Sequence, residues 1–234
     1  MTSYILNCDY QELMKNLIDK GAKVDLVVTD PPYDIPSISG GGSINKVKRL
    51  NKSLRDLNQS GLMNSYKIES FANSLMELQK GNINAYFWCN KKQIPEYFTV
   101  FVDFLECKFD ILTWHKTNAL PTYSNKYLSD TEYCLYFHRG KGKCFPSSYE
   151  NAKTYWVEPI NNKDKKIYGH PTIKPLDFIE KIIKNSSRFG DVVLDPFMGS
   201  GTTGVACERL CRHFIGCDLD PHWYEVAKER IKNG

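Results

Sequence analysis

The chain has 234 residues and a formal net charge of +4, with 25% charged and 13% aromatic residues: enough chain for one substantial core, and too small a charge to mark a nucleic-acid partner by itself. No apolar run reaches the roughly eighteen residues of a membrane span, and Met1 to Asp9 lacks the basic-then-apolar order of a targeting segment, so one soluble, cytoplasmic domain over 1–234 is expected. The eight cysteines form no C-x-x-C pair and read as reduced thiols; Cys207, Cys211 and Cys217 lack zinc-ligand spacing, so no metal is expected.

Short apolar runs alternate with helical-period segments, the rhythm of a parallel sheet with crossover helices. A strand over 4–7 and a helix over 11–19 come first, and the next strand, over 24–29, runs straight into Asp30-Pro31-Pro32-Tyr33. Proline lacks the N–H that a central strand needs and fixes φ, so Pro31 and Pro32 end the ladder and stiffen the turn. The strand thereby delivers a carboxylate, rigid carbonyls and an aromatic face to one point, which suits a planar, amine-bearing ring better than it suits an ordinary strand-ending turn. A glycine-rich insertion over 37–64 follows, where Lys46, Lys48, Arg49, Lys52 and Arg55 face a lone acidic residue, Asp56, within 40–60.

A helix over 66–79, a strand over 85–89, a helix over 95–106 and strands over 111–115 and 133–138 resume the pattern. It breaks again over 139–169, where seven basic residues, among them Arg139, Lys141 and Lys143, outnumber three acidic ones and accompany Tyr149, Tyr155, Trp156, Asn161 and Asn162. Long loops in a compact domain are usually functional or mobile, and basic loops on an otherwise acidic body suggest a bound polyanion; solvated lysine-rich loops and a small local core are the alternatives.

After a helix over 175–187, the strand 192–195 leads into Pro196-Phe197-Met198-Gly199-Ser200-Gly201-Thr202-Thr203-Gly204 and a helix over 201–210. Gly199, Gly201 and Gly204 satisfy G-x-G-x-x-G between strand and helix; the first two glycines would let backbone approach a cofactor and the third would admit close helix packing. Asp218 closes the next strand, 214–217, nineteen residues after Gly199, where a carboxylate can bond a ribose. Asp220-Pro221 then caps a last helix over 222–232. The pattern points to an adenosine-containing cofactor without choosing between a nicotinamide dinucleotide and S-adenosylmethionine. Only about 30 residues follow Gly204, so a dinucleotide domain beginning at Val192 would run out of strands. Earlier strands must complete the sheet.

Asp30-Pro31-Pro32-Tyr33, His170-Pro171-Thr172-Ile173-Lys174-Pro175 and Leu194-Asp195-Pro196-Phe197-Met198-Gly199-Ser200-Gly201-Thr202-Thr203, in this order, resemble the amino-group DNA methyltransferases in their permuted arrangement, with the catalytic motif ahead of the cofactor motif. The resemblance covers most of the chain. It implies an α/β, Rossmann-like fold: a seven-stranded, mostly parallel sheet with helices on both faces and one antiparallel strand, here 133–138. It also implies a site-specific, restriction–modification type enzyme that transfers methyl from S-adenosylmethionine to the N6 amine of a flipped adenine in double-stranded DNA.

In that reading Asp30 and the Pro31 carbonyl accept the amine hydrogens, Pro32 stiffens the turn and Tyr33 stacks on the base. The cofactor contacts carried over are Asp9, Thr172, Lys174, Asp195, Pro196, Phe197, Gly199, Ser200, Gly201, Thr202, Thr203 and Asp218, with Lys174 toward the methionine carboxylate. Family members more often have Glu at Asp218. Lys46, Lys48, Arg49, Arg139, Lys141, Lys143, Tyr155 and Trp156 are the DNA contacts expected, with 139–169 as the target-recognition segment. Adenine is favoured because the family's cytosine-N4 enzymes usually carry Ser at Asp30. An RNA adenine methyltransferase, a nicotinamide-dependent oxidoreductase and a non-catalytic DNA-binding module are the other readings, and a homodimer is compatible with all of them.

Overall fold

The computed structural model describes residues 2–32, 66–121, 125, 127–142, 144–160, 167 and 173–234. Tyr33, the 37–64 insertion with Lys46, Lys48 and Arg49, and also Lys143 and Thr172 lie outside the described residues. The elements run β1 (Ser3–Asn7), α1 (Tyr10–Asp19), β2 (Leu26–Thr29), α2 (Ile68–Leu78), β3 (Ile83–Cys89) and α3 (Ile94–Phe98), which continues as a π-helical segment over Thr99–Phe104. They continue with β4 (Lys108–His115), β5 (Thr131–Arg139), α4 (Tyr149–Ala152), β6 (Tyr155–Val157), α5 (Leu176–Ser186), β7 (Val192–Asp195), α6 (Thr202–Leu210), β8 (His213–Asp218) and α7 (Pro221–Asn233).

The strands form one sheet in the order β1-β8-β7-β2-β3-β5-β4-β6. Every pairing is parallel except those of β5, which runs antiparallel to β3 and β4. The seven strands expected from the sequence are all present, β5 being the antiparallel one. β6 adds an eighth, of three residues, beside β4. Tyr155, Trp156 and Val157 are good strand formers, but a run this short inside a basic loop carries no alternation to reveal it.

β3 is buried along its whole length, as a strand covered on both faces must be. Its side chains alternate: Ile83, Ala85, Phe87 and Cys89 join a core with α1, α2 and α3, while Tyr86 and Trp88 join a second with α5, α6 and α7. Caps fix where helices begin. Asp9 accepts from the Gln11 N–H at 2.8 Å to start α1, and Asp220 accepts from the His222 N–H at 2.8 Å, with Pro221 opening α7.

β2 and β7 are neighbours at the middle of the sheet, and their chains leave in opposite directions, β2 toward β3 and β7 toward β8. That is the topological switch point at which open α/β sheets hold ligands, in the crevice beyond the carboxyl ends of the strands. The register sets Asn7 beside Asp218 and Asp195 beside Gly216 at this edge, with Asp30 just past the end of β2.

Candidate active site

The glycine turn after β7 is built around two carboxylates. Asp195, 4% exposed, accepts from Thr29 Oγ1 at 2.8 Å, Thr203 Oγ1 at 2.7 Å and the Phe197 N–H at 3.2 Å, so it ties the two central strands to the start of α6. Burial pushes its carboxyl up to about 6, against those hydrogen bonds. Asp218, by contrast, lies at the rim. One of its oxygens accepts the Gly199 N–H at 2.9 Å and the other the Asp220 N–H at 2.9 Å; burial raises its carboxyl to about 6 as well. Each oxygen accepts a single backbone N–H in these bonds, and a carboxylate has about four acceptor positions, so the group retains the capacity that a ribose diol requires. Phe197 packs its ring against Tyr10 at 4.9 Å and Tyr66 at 5.4 Å, an aromatic wall beside the same turn.

Gly201 has φ 79°, and a Cβ there would stand 3.0 Å from both Cα and Cβ of Ala227 on α7. Its neighbour on that side is the closing helix. Gly204 admits close packing as expected, since a Cβ would meet Ile231 Cδ1 at 2.4 Å. Gly201→Ala is expected to lower unfolding free energy by about 2 kcal/mol, from left-handed strain plus crowding. Denaturant titration is the check, and an unchanged midpoint would contradict this packing.

The other half of the site begins at Asp30. Lys174 Nζ stands 2.5 Å from Asp30 Oδ2 and 3.2 Å from Glu132 Oε2, and Lys116 pairs with Glu132 Oε1. Lys174 is 7% exposed, and its ammonium lies 5.0 Å from the centroid of the Trp88 ring. Burial would drive the Lys174 ammonium to lose its proton, but Asp30 and Glu132 outweigh burial and hold its pKa above the ordinary lysine value. Burial likewise works against the Glu132 carboxylate, and Lys174 and Lys116 together hold that carboxyl below its ordinary value. Gln93 donates from Nε2 to the Pro32 carbonyl at 3.3 Å, fastening the proline turn to the residues after β3.

A family model described as DNA methylase, covering N6 and N4 amino-group enzymes, matches residues 24–229. The chain belongs to the N6/N4 DNA methylase family. It is 28% identical to the Type II methyltransferase M2.LlaDCHI of Lactococcus lactis subsp. cremoris over 98% of this chain and 89% of that protein. With M2.DpnII of Streptococcus pneumoniae it shares 29% identity over 91% and 84% of the two chains. The crystal structure of an M1.HpyAVI–SAM complex matches with a TM-score of 0.71 and 29% identity, over 98% of this chain and all of that one. This DNA methylase is a methyltransferase dependent on S-adenosylmethionine.

Several motif residues of the methylase have partners within the protein. The hydroxyl groups of Ser200, Thr202 and Thr203 are turned into the protein: Arg230 Nη1 donates to Ser200 Oγ at 3.0 Å, the Ser200 carbonyl at 3.2 Å and Thr202 Oγ1 at 2.9 Å, while Thr203 serves Asp195. Asp195 accepts from Thr29, Thr203 and Phe197 and so also serves as a strut for the loop. The Pro196 carbonyl accepts from the Cys217 thiol, and Asp9 is the α1 cap near the end of β1. Lys174 is spoken for by Asp30 and Glu132, so a methionine carboxylate would compete with two protein carboxylates for it.

Arg139 and Lys141 are displaced furthest. Because β5 is antiparallel, Arg139 lies opposite Ile83, at the start of β3, whereas Tyr133 lies opposite Cys89 at the catalytic end. Six residues of strand put Arg139 roughly 20 Å from that end, and Lys141 lies beyond it, its N–H donating to Asn82 Oδ1. Trp156 belongs to the second core, stacked on Phe178 at 5.7 Å with Nε1 donating to Glu158. Tyr155 is exposed, with Lys153 over its ring. The sequence did not single out Glu132, Lys116, Gln93 or Arg230. None sits in a recognisable motif, and Arg230 reads as a solvated residue in the last turn of an amphipathic helix.

Proposed function

We propose that this methylase acts on the N6 amine of adenine within a specific sequence of double-stranded DNA. The observation that carries the reading is Asp30 at the switch point, its carboxylate held by Lys174 beside the Asp218 half of the site. An exocyclic amine is a poor nucleophile because its lone pair is delocalised into the ring. Asp30 and the Pro31 carbonyl, as acceptors for its two hydrogens, favour a pyramidal nitrogen with the lone pair free to attack. S-adenosylmethionine supplies a methyl group on a positively charged sulfur. Attack by the amine would leave the electron pair of the broken S–CH3 bond on sulfur, giving S-adenosylhomocysteine, and the proton shed by the methylated nitrogen would pass to water. Positioning and acceptors aimed at developing charge supply the rate.

Asp218 holds the ribose, and the Gly199 turn and the wall of Phe197 and Tyr10 flank the remainder of the cofactor. Tyr33 stacks on the flipped base. Phosphate contacts fall to Lys46, Lys48, Arg49 and Lys143, joined at the catalytic edge by the exposed Lys91 and Lys92, which follow the end of β3. Among the described residues no helix is long and apolar enough to cross a membrane, in keeping with a cytoplasmic enzyme; a homodimer is proposed on the general prevalence of two-fold assemblies. The test is incubation with methyl-labelled S-adenosylmethionine and unmodified duplex DNA, digestion to nucleosides and identification by mass. Label on N6-methyldeoxyadenosine is expected. Label on N4-methyldeoxycytidine would keep the chemistry and reassign the base, and label on RNA alone would reassign the substrate.

A further inference from the structure

Glu132 lies on β5 opposite Trp114 of β4, at the catalytic edge of the sheet. Its carboxylate meets Lys116 on one side and Lys174, 3.2 Å away, on the other, and Lys174 meets Asp30 at 2.5 Å. Charges of alternating sign therefore run Lys116, Glu132, Lys174, Asp30, from the end of β4 to the turn after β2. Lys174 is the buried link, with Trp88 beside it and little water to replace a lost partner. A lysine gripped by a single carboxylate can swing on its four-carbon stem, whereas one gripped by two has its nitrogen fixed in space. Lys174 contacts Oδ2 of Asp30, so fixing that nitrogen also fixes the rotation of the Asp30 carboxylate and the direction of its Oδ1.

We propose that Glu132 is a positioning residue for methyl transfer, holding Lys174, and through it the Asp30 carboxylate, in the orientation that accepts a hydrogen from the target amine. The inference rests on the reading of Asp30 as that acceptor. Among the described residues, Asp30, Glu132 and the thiols of Cys89 and Cys134 face Lys174, with Lys116 one step further on. Removing the Glu132 charge takes away one of the two carboxylates that keep Lys174 protonated in a buried place, so the variant loses that proton at lower pH.

In the full chain, Glu132→Gln is expected to lower kcat by about tenfold or more, with KM for S-adenosylmethionine and for DNA within about twofold of the parent. Glu132→Asp, which keeps the charge on a shorter stem, is expected to recover part of the lost kcat. Lys116→Met, which leaves Glu132 on Lys174 without its own second partner, is expected to lower kcat in the same direction by less. A folded Glu132→Gln enzyme with parental kcat overturns the proposal, even if its melting temperature falls, because a merely structural ion pair would do only the latter. Should Glu132→Gln not fold, Lys116→Met decides by kcat at unchanged KM, a parental kcat overturning the proposal. Asp30→Ala run alongside separates the layers: full activity there overturns the reading of Asp30, whereas an inactive Asp30→Ala beside a parental Glu132→Gln overturns the role of Glu132 alone.

Discussion

Asp30→Ala is expected to slow methyl transfer by a factor on the order of 100 or more while leaving S-adenosylmethionine binding largely intact. The loss removes an acceptor aimed at the amine at the moment its lone pair is needed, an interaction stronger in the transition state than in the ground state, so kcat carries the change. The fold should survive. Lys174 keeps Glu132 at 3.2 Å, so the buried ammonium is not left without a counter-charge, and Asp195 still ties β2 to β7 through Thr29 at 2.8 Å. Single-turnover transfer from labelled cofactor, paired with equilibrium cofactor binding, measures both halves of the statement. Near-normal turnover in this variant would sink the mechanism.

The second large effect is on binding. Asp218→Ala is expected to weaken S-adenosylmethionine by about 100-fold, equivalent to about 3 kcal/mol, because it removes a charged acceptor for the ribose and orphans the N–H groups of Gly199 and Asp220 together. Titration calorimetry gives the constant directly, and an unchanged value would contradict the ribose assignment. The same carboxyl makes binding pH-dependent. Burial puts it at about 6, so it is an ionised acceptor at pH 7 and mostly protonated at pH 5, where affinity should fall by about tenfold. Unfolding does not explain such a loss by way of this group. A carboxyl raised from its unfolded value of about 4 makes the folded state bind more protons between pH 4 and 6, so Asp195 and Asp218 both favour folding more as pH falls through 6.

The sequence disclosed those features that depend on local pattern. Alternating and continuous apolar runs placed seven strands, and the reversal at β5 followed from the family resemblance. The glycine turn and Asp218 were legible because backbone geometry demands particular residues at fixed spacing. What stayed hidden depends on which end of the sheet a residue reaches. Arg139 and Lys141 sit in a stretch whose charge is visible in the sequence, yet β5 carries them to the edge opposite the catalytic one. Glu132 reads as an ordinary polar residue at the start of a strand, and nothing local sets it against Lys174, 42 positions on. The hydroxyls of Ser200 and Thr202 look available to a cofactor until Arg230, brought in by α7, claims them from beneath. Trp156 suggested base reading by its type, but its ring completes the core over α5.

The central bond between Thr29 and Asp195 joins positions 166 residues apart, and β1 lies against β8 from the opposite end of the order of synthesis. A nascent chain thus releases β2 and Asp30 long before β7 exists to flank them. Loop-closure entropy must be met before that pairing returns anything, which places such topologies among the slower folders. Until then β2 presents an open edge on one side, of the kind that favours association with other strands. The crevice therefore arrives late: Asp30 is made early in translation, but the switch point beside it closes only when β7 and β8 have emerged and docked.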